Sequence, residues 1–133
     1  MTDVHKALMA FWGSFSFGGE AIPAYLSGHV PDGAAFPYIT FEVADGSAMS
    51  RSVLTAIVWC RAVSGLNVNA QRAAILDSIA AAIPEEGTLV RLPGGGMLAL
   101  YRNSAGFQSY YDDPEDAAVI GGRTSYEVAF YHD

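Results

Sequence analysis

The stretch from Ser52 to Ile83 constrains this chain most, because its apolar period changes once and abruptly. Val53, Leu54, Ile57, Val58 and Trp59 crowd the first part, with Thr55 and Cys60 among them. Such a run is β-branched, aromatic and apolar on both sides of the strand alternation. It predicts a central strand covered on both faces, or on one face by a helix and on the other by a neighbouring subunit. Ser64-Gly65 then turns the chain. From about Asn67 the apolar positions become Val68, Ala73, Ile75, Leu76, Ile79, Ala80 and Ile83, a helical stripe that Pro84 ends. Everything else must be added to this strand–helix unit.

Ahead of it, Asp3 to about Trp12 reads as a first helix, with Thr2 or Asp3 as cap and Val4, Ala7, Leu8, Phe11 and Trp12 as its apolar stripe. Gly13 stops it, and Gly13 to Gly19 reads as a loop with Phe15 or Phe17 tucked down. Ile22 to Val30 is open between a short strand and an extended connection, because Pro23 and Gly28 interrupt it. Tyr38 to Val43 alternates, with Ile39, Phe41 and Val43 on one face. Asp45-Gly46 closes that strand, which pairs most simply antiparallel with the strand from Ser52. After the second helix, Thr88–Leu92 and Met97–Arg102 flank Pro93-Gly94-Gly95-Gly96 as a hairpin. Phe107–Tyr111 is a further extended piece, and Gly122–Tyr131 is the closing strand. The expected fold is a single α+β domain over residues 1–133: a mostly antiparallel β-sheet with helices packed on one face, in the order α-β-β-α-β-β-β.

Composition narrows the function. The net charge of -7 opposes a basic nucleic-acid footprint. One cysteine, Cys60, rules out a disulfide framework and a Cys-rich zinc site, and a free thiol suits a reducing cytoplasm. No apolar run reaches the ~18 residues of a membrane span, and Met1 to Lys6 is too polar for a signal peptide. A hydrophobic share of 51% is high for 133 residues, so part of the apolar surface is expected to be covered by other subunits.

Catalytic chemistry finds no foothold. Asp112, Asp113, Glu115 and Asp116 are oxygen donors, but their spacing is not a calcium loop, and a solvated turn is the plainer reading. Gly94-Gly95-Gly96 lacks the Lys-Ser/Thr of a phosphate loop. His5, His29 and His132 are scattered, and Cys60 has no histidine near it in sequence. No Gly-x-Ser-x-Gly elbow occurs. No catalytic residue, cofactor or metal site is therefore expected. The aromatic density near the C-terminus reads as core or subunit interface. The expected interface residues are Tyr38 and Phe41, Leu89 and Met97 of the hairpin, and Phe107, Tyr110 and Tyr111.

Three features together carry a family resemblance. The first is the N-terminal helix followed by Val30-Pro31 and Phe36-Pro37-Tyr38-Ile39-Thr40-Phe41. The second is Ile57-Val58-Trp59-Cys60-Arg61, a short turn and the helix Asn67 to Ile83. The third is Asp112-Asp113 leading into Gly122-Arg123-Thr124-Ser125-Tyr126-Glu127-Val128. In this order the chain resembles the tail-completion, or tail-terminator, proteins of long-tailed bacteriophages and prophages. The Pro93 to Gly96 hairpin and the Gly-Phe-rich segment after the first helix have no counterpart in that pattern. The resemblance implies a structural virion protein and not an enzyme. Such proteins form homo-oligomeric rings, commonly hexamers, that cap the tail tube. The implied partners are other copies of the chain, the major tail-tube protein and the head-completion or connector protein. DNA would pass through the lumen without sequence-specific binding. The implied location is the host bacterial cytoplasm during assembly, then the neck of the virion. Other phage neck or tail-tube components share similar α+β cores. The alternative class is a small-ligand-binding or enzymatic α+β domain.

Overall fold

Helix α1 runs from Asp3 to Trp12 and buries Ala7, Leu8 and Trp12, three positions of its apolar stripe. Gly13 ends it, its N–H donating to Met9 O at 2.9 Å. The computed structural model describes residues 3–44, 52–103 and 107–131, the side chain of Tyr111 excepted. The expected Asp45-Gly46 turn and His132 lie outside these residues.

The chain then forms three short strands, β1 (Ser16–Phe17), β2 (Glu20–Ala21) and β3 (Ala24–Leu26). β1 and β2 make a small antiparallel hairpin, and Phe15 in front of it is the aromatic that tucks into the core. β4 (Tyr38–Ala44) and β5 (Ser52–Arg61) follow, then α2 (Val68–Ala82). After it come β6 (Thr88–Arg91), β7 (Met97–Arg102), β8 (Gln108–Asp112) and β9 (Val119–Tyr131). The expected order of elements is thus too short. It omits the three short strands before β4 and one of the four strands after α2. Strands of two or three residues carry too little alternation to be read from sequence.

The main sheet runs β3-β4-β5-β9-β7-β6, with β8 also paired to β9. It is curled and mostly antiparallel; only β3 and β4 are parallel. β9 is its longest strand. One edge pairs with β5 over Ser52↔Val128 to Arg61↔Val119. The other edge is shared in line by β7, opposite Tyr126 to Tyr131, and β8, opposite Ile120 to Thr124. Ser125 marks the join: its carbonyl accepts from Asn103 N and its N–H donates to Phe107 O, both at 3.0 Å.

Register decides which side chains share a face. Leu54, Ala56, Val58 and Cys60 of β5 stand opposite Tyr126, Thr124, Gly122 and Ile120 of β9. All four β5 residues are buried at 1% exposure or less, with Ile39 and Phe41 of β4 beside them. α2 meets this face at Gly122. A Cβ built there would lie 2.6 Å from Leu76 Cδ1, so the missing side chain is what lets the helix approach. The Trp12 ring of α1 lies 6.0 Å from that of Tyr126, on the same side of β9 as Gly122.

α2 is capped at both ends. Asn67 Oδ1 accepts from Ala70 N at 3.1 Å. At the C-terminus Arg102 reaches over from β7 and donates from Nε to Ile83 O and from a terminal nitrogen to Ala80 O, each at 2.9 Å. A cation on the last carbonyls suits the negative end of the helix dipole. Among the described residues no helix is long and apolar enough to cross a membrane.

Candidate oligomer interface

The second face of the sheet carries the odd positions of β5 and β9. Across it, Tyr38 stands opposite Trp59, and Thr40 opposite Ile57, which on its other side faces Arg123. Further along, Val53 and Glu127 align with Tyr101, and Ala129 with Ala99 and Leu89. Tyr131, Met97 and Arg91 form the last row. The contacts of α1 and α2 at Tyr126 and Gly122 fall on the opposite side. Val53, Ile57, Trp59, Met97 and Tyr101 are half-buried here, and Leu89 and Tyr131 are 60% and 48% exposed. Of the two coverings read for β5, the helix is present on one face only.

Local contacts hold this surface in shape. The Trp59 indole donates to Thr40 Oγ1 at 3.0 Å across the β4–β5 pair. The Tyr38 ring lies 5.8 Å from Tyr25 and 4.9 Å from Phe36. Burial, helped by the Asp113 carboxylate and Tyr25, raises the Tyr38 phenol above its ordinary value. At the corner, Arg61 pairs with Asp116 at 2.7 Å, and Asp116 also accepts from Ala118 N at 3.0 Å. That backbone hydrogen bond first, and Arg61 second, hold the Asp116 carboxyl below the usual carboxylate range. Asp113 Oδ1 likewise accepts from Glu115 N, so two carboxylates of the acidic run serve their own turn.

The expected interface residues divide between the two faces. Tyr38, Leu89 and Met97 share the open face, Tyr38 toward one end of it and Leu89 and Met97 toward the other. Phe41 does not: it points into the core at 1% exposure. Its strand is no edge either, because β3 and β5 pair both sides of β4. Phe107 stands edge-on to Tyr126 at 5.8 Å, with the Arg102 guanidinium 4.5 Å over its ring, so it belongs to the core margin. Tyr110 is 57% exposed on the helix side, where Arg72 stacks on it at 4.4 Å. The backbone of Tyr111 pairs with Gly121, and its side chain is outside the described part. Ile57, Trp59, Tyr101 and Tyr131 share the open face and are not among the expected residues. The signal was present for β5, whose odd positions are as apolar as its even ones.

Among the described residues no group of three His, Cys, Asp or Glu side chains converges as a metal requires. Cys60 is fully buried; burial pushes its thiol up to about 11 against a small opposite pull from Arg72. Such a thiol is a poor nucleophile at neutral pH. Compared with family models, with curated proteins and with solved structures, the chain matches none of them.

Proposed function

We propose that the chain is a structural protein that assembles with copies of itself into a closed ring, as the resemblance to phage tail-completion proteins implies. The observation that carries this reading is the open sheet face. Ile57, Trp59, Met97, Leu89 and Tyr101 bring aromatic and aliphatic area to a surface backed by neither helix contact, rimmed by Arg91, Arg123 and Glu42. Apolar centres with polar rims mark association surfaces. β6 adds an edge: among the described residues it pairs only with β7. A head-to-tail contact that closes by rotation covers such a flank on every subunit.

In this role the ring caps the head-proximal end of a tail tube, contacts the tube protein on one side and the head connector on the other, and has no catalytic step. An acidic subunit suits a lumen through which DNA passes without being held. The host cytoplasm is where the ring forms, and the virion neck is where it stays. The test is light scattering with negative-stain imaging at high protein and moderate salt, with and without tail tubes. Rings or caps on tube ends support the reading. Monomers and bare tube ends under all of these conditions overturn it in favour of a small ligand-binding domain.

A further inference from the structure

β5 has a helix against one of its faces only, and α2 has a sheet against one of its sides only. The other side of α2 exposes Ala70, Ala73, Ala74, Asp77, Ser78 and Ala81. A helix side turned to water ordinarily carries a row of charged residues, and a helix apolar nearly all round is one covered on both sides. In its 15 residues α2 has two charges, Arg72 and Asp77. Arg72 is engaged within its own subunit: it donates to Gly121 O and Asn69 Oδ1 and stacks on Tyr110. Asp77 is thus the one charge on the exposed side, set among alanines.

The open sheet face is the complement of this helix side in shape and in charge. It presents large side chains, Ile57, Trp59, Met97 and Tyr101, where the helix presents small ones, so the two can close-pack. Arg123 is exposed on it, next to Ile57 in register. Among the described residues neither Arg123 nor Asp77 has an ion-pair or side-chain hydrogen-bond partner. Each surface therefore carries a spare charge, and the two are opposite. Length agrees as well. α2 is about 22 Å long and the 10-residue β5 about 33 Å, so the helix fits on the face without overhang.

We propose that the open sheet face of one copy is covered by the exposed side of α2 of a second copy, with Asp77 of the incoming helix against Arg123. This rests on the ring reading and names the two surfaces that meet in it. The surfaces differ, so the contact is head-to-tail: each copy keeps one of each free for a further neighbour until rotation closes the ring. β5 thereby gains its second covering, a helix from the next subunit opposite the helix of its own.

The test compares the original protein with Asp77→Arg, Arg123→Glu and the double variant by sedimentation velocity over a range of concentrations at moderate salt. Both positions are exposed, so the monomer melting temperatures should stay within about 1–2 °C of the original. Each single reversal sets like charges against each other and should raise the concentration needed for assembly about tenfold or more. The double variant restores the opposite pair and should return to within about threefold of the original. Single variants that assemble as the original does, or a double variant no better than the singles, overturn this contact and leave the ring reading standing. Absence of assembly by the original protein overturns the ring reading and this contact with it. If a reversal lowers the melting temperature, Asp77→Asn and Arg123→Gln replace it. Their losses should then be coupled, the double no weaker than either single, and additive losses overturn the pair.

Discussion

Cys60 and Tyr126 stand side by side in meaning though not in sequence: both are acids kept neutral by burial. Burial raises the thiol from its ordinary 9.0 to about 11. It raises the Tyr126 phenol from 10.0 to about 12, against weaker opposite pulls from the Thr124 hydroxyl and Arg102. The Thr124 hydroxyl donates to Ala56 O at 3.4 Å, and the buried Tyr126 hydroxyl has no hydrogen-bond partner among the described residues. Between each pair of values the folded protein holds a proton that the unfolded chain has lost. Stability is therefore complete below about pH 9 and falls as pH rises through the folded values. Cys60→Ala should remove the first part of this alkaline decline, measured as the urea midpoint between pH 8 and 11. The native thiol should also resist a disulfide reagent at neutral pH and react only on unfolding. Asp116 runs the other way: its carboxyl is depressed, so the stability it adds is present above the usual carboxylate range and fades as pH falls. Arg61→Ala should move the Asp116 titration part of the way back, because the Ala118 N–H remains. Full recovery of the ordinary value would show that the backbone contact contributes nothing.

At the scale of elements, α2 is fixed at three points: the Asn67 cap, the Gly122 contact and the Arg102 clamp. Ile79→Ala deletes fully buried volume and should cost about 2–5 kcal/mol by denaturant melting. Gly122→Ala puts a methyl into Leu76 and should cost about 1–3 kcal/mol. Arg102→Met keeps the stem but removes two charged hydrogen bonds to the helix end, each worth about 1.5–3 kcal/mol, so the denaturant midpoint should fall. If Arg102→Met leaves the midpoint unchanged, the helix end is satisfied by water and the clamp is incidental. The turn into β6 depends on Gly87, which has φ of 88° and meets the Tyr101 ring at 2.7 Å where a Cβ would stand.

For the whole molecule, in the proposed ring the apolar open face would favour association and a charge of -7 on each copy would oppose it. Added salt screens the repulsion, so rings should form at lower protein concentration as salt rises from low to moderate. Leu89→Glu places a charge on an exposed position of the open face. It should leave the monomer melting temperature within about 1–2 °C of the original while suppressing rings. Rings that persist in Leu89→Glu would move the contact to another surface.

The two helices and the long strands β4, β5, β7 and β9 were legible in the sequence, because apolar period is a local property that each segment carries by itself. The excess of apolar residues on both sides of β5 was legible too, as a strand that needs two coverings. Pairing was not. That β9 shares one edge between β7 and β8, that β3 runs parallel beside β4, and that Phe41 is therefore sealed in the core depend on residues far apart in the chain. Gln71 shows the limit most clearly. It sits four residues before Ile75 on the buried stripe of α2, so its burial could be read from spacing. That Gln71 comes to line one cleft with Glu20 and Phe36 follows only when three separate segments fold together, since these residues lie far apart in the chain.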